Sequence, residues 1–230
     1  MLKALAAVPR FLLLGGIKVV SRVLFRFSVE WVAPPPAKPF GDARIGVLLN
    51  HTSLFEPILL ATFPWSWLWA VSQRGVMPGA DATLSRPVAG RFFKSLVPTA
   101  VSVTRSRDRT WSDFMSRIGE DAVVLIAPEG RMKRATGLDK NGRPMTMKGG
   151  IVDVLELKTE GTMILIYSEG LHHVQAPGEG LPRLFVRVRA RFEEISIARY
   201  KKEMGQGTPE FRANVLADLE RRRDLYCPWS

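Results

Sequence analysis

Asn50-His51-Thr52-Ser53-Leu54-Phe55-Glu56-Pro57 places a carboxylate five residues after an imidazole. Histidine exchanges a proton near neutral pH, and a carboxylate on its second ring nitrogen would fix the tautomer and stabilise the imidazolium. His51 and Glu56 can therefore act together as a general base. The same residues also suit a helix start. Ser53-Leu54-Phe55-Glu56 has the form of a capping box, with Glu56 reaching back to the backbone of Ser53. Alternatively, Pro57 takes the first helical position and leaves Glu56 as the cap. The octapeptide alone leaves these readings open.

The flanking elements suggest how such a pair would be held. Ile45-Gly46-Val47-Leu48-Leu49 reads as a buried strand, and Ile58 to Phe63 as the start of a helix. Two later runs have a similar form. Val97 to Arg105 reads as a strand running into Thr104-Arg105-Ser106-Arg107-Asp108-Arg109, where guanidinium forks suit phosphate oxygens but also suit a solvated turn. Asp121 to Ala127 reads as a buried strand followed by Pro128-Glu129-Gly130-Arg131. In an open α/β sheet ligands collect beyond the carboxyl ends of strands, and His51, Arg105 and Glu129 all fall there. Lys148-Gly149-Gly150 precedes a predicted helix over 149–157, where the backbone could approach an anion closely.

Other stretches complete an α/β pattern, a central mixed sheet flanked by helices. Helices are predicted over 87–96, 111–118 and 209–226, the last with Arg221-Arg222-Arg223 favourable to its dipole. Thr162 to Tyr167 reads as an apolar strand. Residues 184–192 read as a half-exposed edge strand whose arginines alternate with apolar residues. The alternation of Trp65, Trp67 and Trp69 predicts a strand with an aromatic face that ends over 70–75. The Gly-, Lys- and Arg-rich stretch 132–148 reads as a loop.

With 230 residues and 46% hydrophobic content the chain can bury a sizeable core, and its net charge of +11 points to an anionic partner. The single cysteine, Cys227, excludes an internal disulfide and a cysteine-based zinc site. His172-His173 lacks a second cluster at ligand spacing, so no metal site is expected. Residues 1–33 contain no acid before Glu30 and are interrupted by Lys3, Arg10, Lys18, Arg22 and Arg26. No run approaches the ~20 apolar residues of a spanning helix. On a helix, Val19, Val20, Val23, Leu24 and Phe27 share one side, while Lys18, Arg22 and Arg26 recur on another. This predicts amphipathic helices lying in a membrane interface with their cations at anionic headgroups, the alternative being a helix that packs its apolar face on the domain. The expected organisation is therefore 1–33 as membrane-binding helices, 34–44 as a Pro-rich connector and 45–230 as a domain carrying the chemistry.

Taken together, these blocks resemble the glycerolipid acyltransferases, the family of bacterial 1-acylglycerol-3-phosphate acyltransferase, over roughly residues 45–170. Asn50-His51 with Glu56 matches the family's Asn-His and Asp motif, with Glu in place of Asp. Val101 to Arg105 resembles the strand whose arginine contacts the acceptor phosphate. Pro128-Glu129-Gly130-Arg131 resembles Pro-Glu-Gly-Thr-Arg without its threonine, and Lys148-Gly149 stands at the place of a later Lys-Gly pair. The chain departs from the family at Ser72-Gln73-Arg74, where a lysine is usual.

The resemblance implies acyl transfer from acyl-CoA or acyl-ACP, as co-substrate without a cofactor, to the hydroxyl of a lysophospholipid. His51 and Glu56 would be catalytic, and Asn50, Arg105, Glu129, Gly130, Arg131 and Lys148 would bind substrate. The implied partners are an anionic bilayer surface, the lysophospholipid and the acyl carrier, without nucleic acid. The implied place is the cytoplasmic face of a membrane such as the bacterial inner membrane, held peripherally. A lyso-lipid lacking phosphate is an alternative acceptor. A non-catalytic basic membrane- or nucleic-acid-binding protein would explain the charge, but not the three strand ends.

Overall fold

The computed structural model describes residues 2–104, 106–176, 179 and 181–227. In chain order the elements are α1 (Leu2–Leu24), β1 (Arg26–Trp31), β2 (Ala43–Leu49), a 3-10 helix (Glu56–Thr62), α2 (Trp65–Arg74), β3 (Gly75–Ala80), α3 (Asp81–Leu84) and α4 (Pro87–Leu96). They continue with β4 (Thr99–Val103), α5 (Arg109–Ser116), β5 (Val123–Ile126), α6 (Gly150–Leu157), β6 (Thr162–Ser168), β7 (Arg187–Ser196), α7 (Ile197–Glu203) and α8 (Phe211–Tyr226).

The strands form one mixed sheet in the order β1-β7-β6-β2-β5-β3-β4. The run from β6 to β4 is parallel, while β7 opposes β6 and carries β1 parallel to itself. β2, in the middle, is buried on both faces by Ile45, Val47 and Leu49 on one side and its Leu48 face on the other. Helices cover both faces because each face is apolar. One core layer packs Phe114, Ile151, Leu155, Tyr200, Val215 and Leu219 of α5 to α8 against the sheet. The other packs Leu14 of α1, Leu59 of the 3-10 helix, Trp67 and Val71 of α2, and Leu96 of α4.

Three expectations are corrected. Residues 65–74 form a helix, because the buried set Trp67, Leu68, Val71 and Ser72 has helical spacing, and Pro64 supplies the extended residue before it. Trp65 and Trp69, one turn apart, both meet the ring of Phe11, at 5.8 and 5.2 Å. The aromatic alternation was a helical pair with a core residue between.

The second correction concerns residues 1–33, which are not helical throughout. α1 stops at Leu24, and Arg26–Trp31 joins the sheet, so the stretch 34–44 links two strands of one sheet. The third follows from it: with β1 alongside, the basic strand β7 is internal, and its Val188, Ala190 and Phe192 are buried.

The cations of α1 also lie where the sequence did not place them. Lys18 is buried and donates to the carbonyls of Ala61 (2.9 Å) and Phe63 (2.6 Å), with its ammonium 5.4 Å from the Trp65 ring. Arg22 Nε donates to the Ala61 carbonyl at 3.0 Å. The unpaired carbonyls ending the 3-10 helix attract these cations inward. Burial, with Arg22 beside it, lowers the Lys18 pKa to about 8. The outer side of α1 is left with Leu5, Leu12, Val19 and Val23, the last two 53% and 68% exposed. No described helix is long and apolar enough to cross a membrane.

Lys18→Met retains the aliphatic stem and removes both hydrogen bonds, leaving the Phe63 carbonyl without its donor. The expected loss of stability is about 1–3 kcal/mol, measurable as a fall in the denaturant midpoint of the full chain.

Candidate active site

β2 delivers Asn50 and His51 just beyond its carboxyl end, between the ends of β5 and β6. Asn50 turns the chain sharply, with φ of 64°, a left-handed conformation that asparagine tolerates better than most residues. Its Nδ2 donates to the Ser168 carbonyl at 2.9 Å, which ties the turn to β6. On the β5 side, Glu129 is 1% exposed and accepts from the backbone N–H of Asn50 at 3.1 Å and of His51 at 2.8 Å. Burial raises the Glu129 pKa above the usual carboxylate value, opposed by these two amides and by Arg223. Glu129 therefore shapes the backbone beneath His51. Gly130, with φ of 64°, lets the chain turn away immediately afterwards.

The ring of His51 points its Nδ1 at Glu56 Oε2, 2.7 Å away. The approach has the distance of an ion pair without the alignment of a full hydrogen bond. Such contacts commonly tighten when substrate binds. The other oxygen of Glu56 accepts from the backbone N–H of Thr52 at 2.7 Å and of Ser53 at 2.9 Å. One oxygen of Glu56 thus holds the turn and the other faces the imidazole, while the 3-10 helix begins at Glu56 with Phe55 before it, so neither Ser53 nor Glu56 is its cap. Burial works against the imidazolium, but the close carboxylate of Glu56, helped by Glu129, outweighs it and raises the His51 pKa above the ordinary value. With Nδ1 engaged, Nε2 is the nitrogen left to exchange protons with a bound molecule.

His51 and Glu56 line the mouth of a cleft of about 610 Å³. Its interior is apolar. Gly46, Leu48, Leu125 and Ile166 of the sheet face Leu14, Leu59, Phe63, Trp67 and Phe93 of the covering helices and turns. A methyl on Gly46 would come within 3.0 Å of Leu125 and 3.3 Å of Trp67, so the absent side chain keeps this part of the cleft open. The mouth is polar and basic, with Thr104, Arg107, Trp111, Arg131, Lys148 and the backbone of Gly149.

Of the predicted site residues, His51, Glu56, Gly130, Arg131 and Lys148 line this cleft, whereas Asn50 and Glu129 are buried in the turn that carries His51 and do not line it. Arg105 lies outside the described residues. Arg131 pairs with Asp139, a buried residue absent from the sequence reading. The amides of Arg143 and Asn141, together with Arg131, hold Asp139 at a pKa of about 2 against its burial. Lys148 Nζ donates to Thr146 Oγ1 at 3.0 Å, and its backbone N–H donates to the Pro128 carbonyl at 2.7 Å. Arg107 pairs with Asp153, which also accepts from Trp111 Nε1 at 2.9 Å and from Arg212 at 2.6 Å.

Asp153 and Arg212 gave no sequence signal, because only the fold brings their helices together. Asp139 did leave a trace, as the first residue of the turn-forming Asp139-Lys140-Asn141-Gly142. His172 and His173 are each bonded to a backbone carbonyl, those of Lys133 and Arg187. Among the described residues no three His, Cys, Asp or Glu side chains gather as a metal site would require.

An open α/β sheet with a histidine and carboxylate at the head of an apolar cleft, and cations at its rim, defines an architecture suited to chemistry on a long apolar molecule with a polar end. The fold is similar to that of a solved structure, the 1-acyl-sn-glycerophosphate (LPA) acyltransferase PlsC from Thermotoga maritima. The match has a TM-score of 0.58 and spans 94% of this chain and 80% of that one at 15% identity, a likeness of fold. No protein-family model matches the chain, and no curated protein sequence does.

Glu56→Gln removes the charge that raises the His51 pKa while sparing the side-chain length. The His51 titration, followed by NMR of the imidazole, is expected to move to lower pH; Glu56→Asp, which keeps the charge, is expected to move it less.

Proposed function

We propose that this protein is a membrane-associated O-acyltransferase that moves a fatty acyl group from a thioester, on coenzyme A or acyl carrier protein, to the hydroxyl of a lysophospholipid such as 1-acylglycerol-3-phosphate. The observation that carries this reading is the His51–Glu56 pair set where an apolar cleft of about 610 Å³ meets a basic mouth. The cleft suits an acyl chain and the mouth an anionic headgroup. The shared fold agrees with it.

In this mechanism Nε2 of His51 takes the proton of the acceptor hydroxyl as its oxygen attacks the thioester carbonyl. The carbon–sulfur bond then breaks, and the imidazolium returns the proton to the departing thiolate. Glu56 stabilises the imidazolium between these events. Arg131 and Lys148 hold the headgroup. A lyso-lipid without phosphate is the second reading of the acceptor, favoured because Arg131 and Arg107 already carry carboxylate partners, Asp139 and Asp153.

The outward side of α1, with Leu5, Leu12, Val19 and Val23 exposed, would rest in the lipid interface. Leu181, Leu184 and Phe185 are exposed near its C-terminal end, where the Phe185 N–H reaches the Leu24 carbonyl. The anionic inner face of a bacterial plasma membrane suits the positive charge of the protein. Leu14, on the opposite side of α1, lines the cleft, so the lipid-facing helix is also a wall of the site.

Thiol release from acyl-CoA and acyl-ACP, assayed against lysophosphatidic acid, other lysophospholipids and phosphate-free lyso-lipids, tests the reaction and identifies the acceptor. His51→Ala is expected to reduce turnover at least about 10³-fold with the folded structure intact; undiminished turnover would sink the mechanism. Independently, Leu12→Asp with Val19→Asp and Val23→Asp should weaken sedimentation with anionic liposomes by more than about tenfold.

A further inference from the structure

Arg223, on the last turns of α8, reaches the back of the His51 turn. Its Nη1 is 3.6 Å from Glu129 Oε1 and donates to the Met145 carbonyl at 3.0 Å, while its Nε donates to Asp224 Oδ1 at 2.8 Å. Its side chain is 13% exposed and that of Glu129 is 0% exposed. The charged and titratable groups facing Glu129 are His51 from the end of β2, and Arg223 and Cys227 from α8 and its end. Arg223 itself faces Asp224 and Glu220 of its own helix.

Glu129 commits both oxygens to backbone N–H groups, one from Asn50 and one from His51. Only the ionised carboxylate accepts both bonds cleanly; a protonated one would aim an O–H at an N–H. A cation nearby favours that ionised form in a place that water hardly reaches. Within the octapeptide only His51 can supply one, and only while it is protonated; the guanidinium of Arg223 is charged throughout.

We propose that Arg223 is a positioning residue for His51: beside Glu129, it holds that carboxylate on the two amides that fix the left-handed Asn50 turn and set the imidazole against Glu56. Where it bears on turnover, this inference rests on the acyltransferase reading. The same helix sets the opposite lip of the mouth. Glu220 accepts from the Met147 N–H at 2.7 Å, and Arg212 donates to the Gly149 carbonyl at 3.0 Å, on either side of Lys148. α8 thus fixes the spacing between base and headgroup cation from behind.

The test uses Arg223→Met, Arg223→Lys and, as a control on the exposed side of the same helix, Arg221→Ala, each in the full chain. Amide protons bonded to a carboxylate shift when it is protonated, so the pH dependence of the Asn50 and His51 amide resonances reports Glu129 without any substrate. Loss of the cation in Arg223→Met is expected to move that midpoint to higher pH; Arg223→Lys should restore most of it and Arg221→Ala should leave it in place. With an active donor and acceptor pair, Arg223→Met should lower kcat roughly 10- to 100-fold, keep KM within about twofold, and shift the acid limb of the pH profile upward. An unmoved amide midpoint in Arg223→Met, or an equal movement in Arg221→Ala, overturns the proposal. So does a loss of activity wholly accounted for by a loss of folded protein. If no thioester and lyso-lipid pair turns over, the acyltransferase reading fails while the amide titration still decides the role of Arg223.

Discussion

Two carboxylates grip one turn of backbone from opposite sides, and the site depends on that grip. Glu129 takes the amides of Asn50 and His51, and Glu56 takes those of Thr52 and Ser53. Four consecutive N–H groups that no strand or helix would satisfy are thereby paired, in a region where leaving them unpaired would be costly. The imidazole has little freedom as a result, because the backbone that carries it is fixed on both flanks. A charge that serves as a structural acceptor and a charge that tunes the ring are here arranged around a single residue.

Placement within the sheet does the remaining work. β2 is central, β5 ends beside Val47 and β6 just beyond Leu49, and the segments leaving those ends meet at the His51 turn. The helices on one face close the cleft, and those on the other carry the ion pairs that hold its rim. Asp153 gathers Arg107 from the loop before α5, Trp111 from α5 and Arg212 from α8, while Asp139 secures Arg131 within its own loop. The arginines of the basic mouth are therefore fixed by buried acids, while Lys148 is held by the Thr146 hydroxyl.

Much of this was legible in the sequence, for identifiable reasons. Strands such as 45–49, 121–127 and 162–167 are short apolar runs in the middle of the sheet, so their composition alone marks them, and His51 and Glu129 follow directly at the ends of the first two. The aromatic run at 65–69 misled, because Trp65 and Trp69 lie one turn apart and mimic alternation with Trp67. Residues 26–31 were hidden because their partner strand, β7, lies far along the chain. The inward course of Lys18 depends on carbonyls at Ala61 and Phe63 that no local pattern reports. For the same reason the octapeptide revealed Glu56, a neighbour in sequence, and not Arg223, a neighbour only in space.

α1 is secured along its length. Lys18 and Arg22 fasten its C-terminal half to the 3-10 helix that follows the His51 turn, Phe11 is wedged between two tryptophans of α2, and Leu24 passes almost directly into a sheet strand. An arm tethered by a flexible linker would let the catalytic body tumble above whatever surface the arm touched. This helix behaves instead as a keel: once its outer side meets an interface, the tilt of the sheet and the height of the cleft mouth above that interface follow, and under the proposed function the acceptor and the thioester would meet at a depth set by the fold.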